Sequence, residues 1–194
     1  MRRTGLHGSK LFGVLRRSAG PAPRWDGESH LAPIRSRIGR LDLTCPPDVM
    51  REAHLELLEA FGRSIGSGFH PRQSAERPSE DLISVFGRFE KRADDAQFGL
   101  WLQPEEGDHG GVARIAWLVD LYLPERWRGR GAGTALMGAL IELWEKVGVD
   151  AVRTTATAEG HPAYLSWGFS EVGDQGLDDA LTEMRLELPR GPAI

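Results

Sequence analysis

Three glycines at alternate positions, in Arg128-Gly-Arg-Gly131-Ala-Gly133, stand between the most apolar stretch of the chain and a long amphipathic one. Glycine opens backbone conformations that other residues avoid and lets a ligand approach the main chain closely. At the start of a helix it also lets unpaired N–H groups and the positive end of the helix dipole converge on one point. Such a turn is an anion cradle suited to a pyrophosphate. Arg126, Arg128 and Arg130 add positive charge beside it. An ordinary strand-to-helix connection that uses glycine for its turn is the alternative reading.

The flanks give the turn its setting. In residues 112–123, alternation puts Ile115, Trp117, Val119, Leu121 and Leu123 on one face and Ala116, Leu118, Asp120 and Tyr122 on the other. Both faces are mainly apolar, which predicts a central strand covered on both sides. Residues 134–147 read as a helix with a wide apolar arc (Leu136, Met137, Leu140, Ile141, Leu143, Trp144) that ends at Gly148. Upstream, 38–43 alternates as a strand. Pro46 and Pro47 then open a helix that runs to about Arg63. Residues 64–78 read as a loop. Ser79 as an N-cap, followed by Leu82, Val85, Phe86 and Phe89, predicts a second amphipathic helix. Strands are expected over 98–102, 151–155, 169–172 and 182–188, with a turn over 104–111 and a short helix or turn over 161–167. The expected order is β-α-α-β-β-β-α-β-α-β-β, an α/β chain.

Composition removes several classes of function. At 194 residues the chain suits one domain with a modest extension. No stretch approaches the ~20 apolar residues of a membrane span, so no membrane partner is expected. Cys45 is the only cysteine, which rules out an intrachain disulfide and a Cys₄ or Cys₂His₂ site. The six histidines are scattered, and no metal is expected. A reducing cytoplasm fits. Arginine outnumbers lysine 21 to 3, which we read as codon bias in a GC-rich, bacterial genome. Charge is uneven: residues 1–40 carry +7 and the rest −11. Residues 1–35 read as a basic arm dispensable for ligand binding, 36–189 as the domain and 190–194 as a tail. Phosphate contacts through the arm are an alternative role, but no aromatic platform accompanies the charge, so nucleic acid is disfavoured.

The turn lacks the lysine of a P-loop. It also departs from the dinucleotide-binding GxGxxG, with the third glycine early and Pro124-Glu125-Arg126-Trp127 intervening after the strand. Arg128, Gly131 and Gly133 instead occupy, in register, the three defining positions of [QR]xxGx[GA]. This resembles the signature of the GNAT N-acetyltransferase superfamily. A second stretch, Glu159-Gly-His-Pro-Ala-Tyr164-Leu-Ser-Trp-Gly168-Phe169, resembles that family's later segment, where a tyrosine stands four residues before a Gly-Phe pair. The resemblance covers about 36–189. It departs at Leu123, often Val, and at Glu125, often Pro, and the short segment before the central strand leaves a stunted third strand expected.

The resemblance implies a mixed central sheet of six to seven strands with about four helices, splayed at the cofactor site, and acetyl-CoA as donor. Its pyrophosphate would lie on the amides of Gly129, Arg130, Gly131, Ala132, Gly133 and Thr134, with Arg128 nearby. Its pantetheine arm would run along the backbone of Leu121, Tyr122 and Leu123. By the family's pattern Tyr164 would protonate the leaving thiolate; a core aromatic with a satisfied hydroxyl is the plainer reading. Asp120 is the only acid in 112–123. Burial would raise its pKa and make it a candidate base; holding a neighbouring loop is its plainer role. Trp167 and Phe169 read as core, and Cys45 as a small filler.

The acceptor would be a small-molecule or protein amine. The loop 64–78 with His70 and Arg72, and the loop 173–179 with Asp174, Asp178 and Asp179, are its expected rims. Two readings compete with catalysis: a non-catalytic acyl-CoA-binding module, and a nucleic-acid-associated protein acting through its arm. Monomer and homodimer are both left open.

Overall fold

A computed structural model describes residues 24–72, 83–89, 97–106, 112–123, 125–173 and 180–189. Within these residues seven strands form one sheet: β1 (His70–Arg72), β2 (Ile83–Arg88), β3 (Gln97–Glu106), β4 (Val112–Tyr122), β5 (Ala151–Thr157), β6 (Ser170–Glu171) and β7 (Leu181–Glu187). They lie in the order β1-β2-β3-β4-β5-β7-β6. Every neighbouring pair is antiparallel except β4 and β5. That parallel pair needs a crossover, which one of four helices supplies. The helices are α1 (Glu28–Ile38), α2 (Pro47–Ser64), α3 (Ala132–Lys146), which makes the crossover, and α4 (His161–Ser166).

Hydrophobic spacing explains the long helices. In α2 the buried Met50, Ala53, Leu57, Leu58 and Phe61 form one stripe, and Pro47 sits where a missing N–H costs nothing. In α3 the stripe is Leu136, Met137, Leu140, Leu143 and Trp144. A further helix, α1, stands where the arm was expected to end. Its Leu31, Ile34 and Ile38 are buried, while Arg35 bonds Glu142 of α3 and Arg37 bonds Glu56 of α2. The boundary expected at residue 36 therefore falls inside a packed helix. No strand forms over 38–43, because Ile38 is the last residue of α1 and the chain then turns.

The helix expected over 79–89 is replaced by β2. Ile83, Val85, Gly87 and Phe89 are buried, and Ser84, Phe86 and Arg88 between them are half-buried, a period of two. Ser79 and Leu82 lie outside the described residues. Part of the expected loop 64–78 is the short β1, and β3 runs ten residues rather than being stunted.

A single core joins all four helices to one face of the sheet. Leu31, Leu57, Leu136 and Tyr164 meet Val85, Leu100, Ala116, Leu118 and Val152 there. No described helix covers the opposite face, where Trp101, Trp117 and Arg153 are register partners. On that face Ala113, Ile115 and Ala151 are nonetheless buried against Trp117, so the expectation that β4 is covered on both sides holds for its first half and fails at the exposed Asp120. Its alternation is corrected. Leu100 pairs with Leu118 and Gly99 with Asp120, so Val119 is an extra residue, a β-bulge. Beyond it Leu121 joins Leu118 on the core face, opposite Phe98, while Asp120 joins Trp117 on the open one.

Within the core, His54 is fully buried. Its Nε2 accepts the indole N–H of Trp144 at 3.0 Å, which leaves Nδ1 to donate to the Met50 carbonyl at 2.7 Å. Burial holds its pKa at about 4, below the usual 6.5. Because the folded value is depressed, His54 supports stability above pH 6.5, and that support is lost as pH falls towards 4. Between pH 7 and pH 5 the loss should be about 2 kcal/mol. Urea titrations at the two pH values should show it, and His54→Gln should remove that share of the slope. Leu31→Ala should cost about 3 kcal/mol, and a chain that starts at residue 36 should melt far below the parent.

Candidate active site

The glycine turn opens directly into α3. A 3₁₀ turn (Glu125–Trp127) precedes it. Gly129 and Gly131 have φ of 66° and 91°, and nothing lies within 4 Å of a Cβ at either, so backbone conformation rather than crowding calls for glycine there. At Gly133 the reason is packing: a Cβ would stand 3.3 Å from Leu123 Cδ1 and 3.4 Å from Trp167 Cζ2. The first helical amide to find an acceptor is that of Ala135, on the Gly131 carbonyl at 2.9 Å. No described residue accepts from the amides of Gly129, Arg130, Gly131, Ala132, Gly133 or Thr134. Six donors in succession, at the positive end of a helix of 15 residues, are what an anion cradle requires.

Three contacts pin the turn. Arg128 donates from Nε to the Leu123 carbonyl at 2.7 Å, bonds Glu159, and lies over the Tyr122 ring at 5.1 Å. Its guanidinium therefore ties the end of β4 to the turn. The Trp167 indole donates to the Thr134 hydroxyl at 3.2 Å, which joins the start of α3 to the end of α4. Trp25, just before α1, donates its backbone N–H to the Arg130 carbonyl at 2.9 Å and its indole N–H to Ser64 at 3.2 Å. Sequence reasoning placed Trp25 in the arm and Trp167 in the core. Both touch the turn through contacts distant in the chain, and no local signal marks them.

Beside the turn the sheet forks. The parallel pairing of β4 and β5 covers Ile115 to Leu118 and Ala151 to Thr154 only, yet β4 runs on to Tyr122 and β5 to Thr157. At the root of the fork the Thr154 hydroxyl donates to the Leu118 carbonyl at 2.8 Å. Past it, Leu121, Tyr122 and Leu123 have no partner on β5.

Tyr164 reaches this root from α4. It is 7% exposed, packed edge-on against Trp167 and Phe169 at 5.3 and 5.2 Å, and its hydroxyl bonds Thr154. Burial pushes the phenol pKa above its usual value, the Asp120 charge adds to this, and the Thr154 bond offsets part of it. The hydroxyl therefore keeps its proton at neutral pH. Asp120 stands on the strand beyond the fork, but it is exposed. The burial expected for it is absent, because the bulge turns it to the open face. It has no ion pair or hydrogen bond among the described residues.

Of the expected rims, His70 and Arg72 are exposed on β1, and Asp174, Asp178 and Asp179 lie outside the described residues. Cys45 is buried, and burial raises its thiol pKa, which suits a filler. Among the described residues no three metal-ligating side chains come together, and no helix is long and apolar enough to cross a membrane.

The acetyltransferase (GNAT) domain family profile matches residues 72–188. No curated protein sequence matches the chain at a significant level. Solved structures that match part of the chain include Tetrahymena GCN5, at 17% identity over 57% of this chain and 71% of that one, TM-score 0.40. Arabidopsis thaliana NAA60 with a bisubstrate analogue matches at 15% over 58% and 79%, TM-score 0.40. An Elizabethkingia anophelis GNAT family acetyltransferase with acetyl-CoA bound matches at 11% over 62% and 97%, TM-score 0.38.

The same substitution should have opposite signs at two glycines. Gly131→Ala forces a left-handed side-chain residue and should cost about 1–2 kcal/mol. Gly138 lies inside α3, where a Cβ would meet only Arg35 Nη2 at 3.9 Å. Gly138→Ala should stabilise by up to about 1 kcal/mol. Paired denaturant titrations check both.

Proposed function

This chain belongs to the GNAT acetyltransferase family, an acetyl-CoA-dependent acyltransferase class, and we propose that it transfers acetyl directly from acetyl-CoA to a primary amine. The observation that carries the reading is the fork between β4 and β5, which opens on the strand that leads into the glycine turn. The turn fits the donor's diphosphate, since its six amides find no acceptor among the described residues. Acetyl-CoA supplies an activated acyl thioester. The residues around the fork have the remaining work.

The amides of Gly129 to Thr134 bind the diphosphate, and Arg128 holds the strand end at the right distance from them through Leu123. The unpaired backbone of Leu121 and Tyr122 aligns the pantetheine arm as an added strand. A backbone N–H there would stabilise negative charge developing on the thioester oxygen. An alkylamine with a pKa near ~10.4 must lose a proton before it attacks. Asp120, exposed and unpaired among the described residues, takes that proton directly or through water. Tyr164, still protonated at neutral pH, gives its proton to the departing sulfur.

Calorimetry should show the parent binding CoA. Gly131→Glu, which sets a negative side chain in the cradle, should abolish the heat while the variant stays folded; equal affinity would overturn the site. Tyr164→Phe should lower kcat ~10-fold or more with little change in KM for acetyl-CoA. Only the bond to Thr154 is lost, so stability should fall by no more than about 1 kcal/mol. Full activity in this variant would return Tyr164 to a packing role.

A further inference from the structure

On the sheet face that no described helix covers, one row sets a ring against a carboxylate across a glycine. Phe86, Gly99 and Asp120 are register partners on β2, β3 and β4. A Cβ on Gly99 would stand 2.7 Å from Phe86 Cε1 and 3.2 Å from Asp120 Cβ, so ring and aspartate close over the glycine from either side. Trp101, two residues further along β3, meets Phe86 with centroids 5.9 Å apart, and its buried indole N–H has no hydrogen-bond partner among the described residues.

Among the described residues, the charges around this row make no ion pair with Asp120. In the neighbouring row Arg153 is held by Glu105 and Glu183 and lies on the Trp117 ring at 4.3 Å. Arg128, over Tyr122, is paired with Glu159. Arg88 stands one row further on, beside Gln97 and Tyr122. An uncompensated carboxylate beside two half-buried aromatic side chains attracts a cation and shelters an apolar body attached to it.

We propose that Phe86, Trp101 and Asp120 form the acceptor subsite and that the acceptor is an ammonium carried on an apolar aryl or alkyl body. This rests on the acetyltransfer reading and adds the acceptor's class to it. Asp120 anchors the ammonium and accepts one of its protons. The freed lone pair makes the C–N bond to the acetyl carbon, and the C–S bond breaks with its electron pair going to sulfur. Tyr164 protonates that sulfur. Solvent takes a second proton from nitrogen, leaving the amide N–H, then removes the proton from Asp120 and returns one to Tyr164. The two rings hold the body in place and thin the water around the amine, which eases its deprotonation. Gly99, having no Cβ, lets the Phe86 ring and Asp120 come this close to one another.

The test follows thiol release by the full chain with acetyl-CoA and phenethylamine, hexylamine, ethanolamine or spermidine. The two apolar amines should exceed the two polar ones in kcat/KM by ~10-fold or more. Phe86→Ala should raise KM for phenethylamine ~10-fold and leave KM for acetyl-CoA unchanged, and Phe86→Leu should recover part of the loss. Should Phe86→Ala fail to fold, the panel on the unaltered chain decides alone. Turnover that favours ethanolamine or spermidine, or an amine preference unchanged in a folded Phe86→Ala, overturns the acceptor assignment and leaves acetyltransfer standing. A parent chain that binds no CoA overturns both.

Discussion

Parallel pairing between β4 and β5 lasts four residues and stops at Leu118 and Thr154, and the arrangement of the site follows from that stop. A gap in the middle of a sheet leaves main-chain groups without partners, each costing ~1–3 kcal/mol if buried and unmet. The gap persists because its two ends are held by side chains. At the root the Thr154 hydroxyl occupies the Leu118 carbonyl. At the tip Arg128 occupies the Leu123 carbonyl and stacks on Tyr122. Between these points β4 keeps its pairing with β3 across the bulge at Val119, while its other edge has no partner on β5.

The glycine turn depends on the same two strands. Positive φ at Gly129 and Gly131 brings the chain off the tip of β4 and into α3, with amides that find no acceptor among the described residues. Trp25, ahead of α1, and Trp167, at the end of α4, reach the turn and the start of α3, and Arg128 within the turn reaches back to Leu123 at the end of β4. The Trp25 bond matters most for the chain's organisation. It makes the segment before α1 part of the support of the cradle, so the N-terminal region is built into the domain well before residue 36.

Features fixed by local chemistry could be read from the amino acids. The position of the turn was one, because clustered glycines before a long apolar stripe mark where a strand gives way to a helix. The helices α2 and α3 were others, with stripes long enough to show a single period. The tyrosine before Gly168-Phe169 came from the pattern of its neighbours. Features fixed by distant contacts were misread or missed. Residues 82–89 satisfy a period of 3.6 through Leu82, Val85, Phe86 and Phe89 and a period of two through Ile83, Val85, Gly87 and Phe89. Pairing with β1 and β3 decides between them. In α1 the stripe Leu31, Ile34, Ile38 is interrupted by Pro33 and arginines, and only packing against α2 and α3 makes it a helix. Thr154 looks like any strand threonine until its carbonyl partner is known.

The bulge at Val119 shows how one residue sets the chemistry of a strand. Side chains alternate strictly along β4, so an extra residue moves every later one to the other face. Without it Asp120 would follow Ala116 and Leu118 into the core, where an unpaired carboxylate is costly, and Leu121 would face outward. With it the apolar Leu121 packs against the core and the acid emerges beside Phe86 on the open face. The helices, the glycine turn and Tyr164 all belong to the covered face of the sheet. The bulge thus places the one acid of the central strand on the face opposite the helices, the glycine turn and Tyr164.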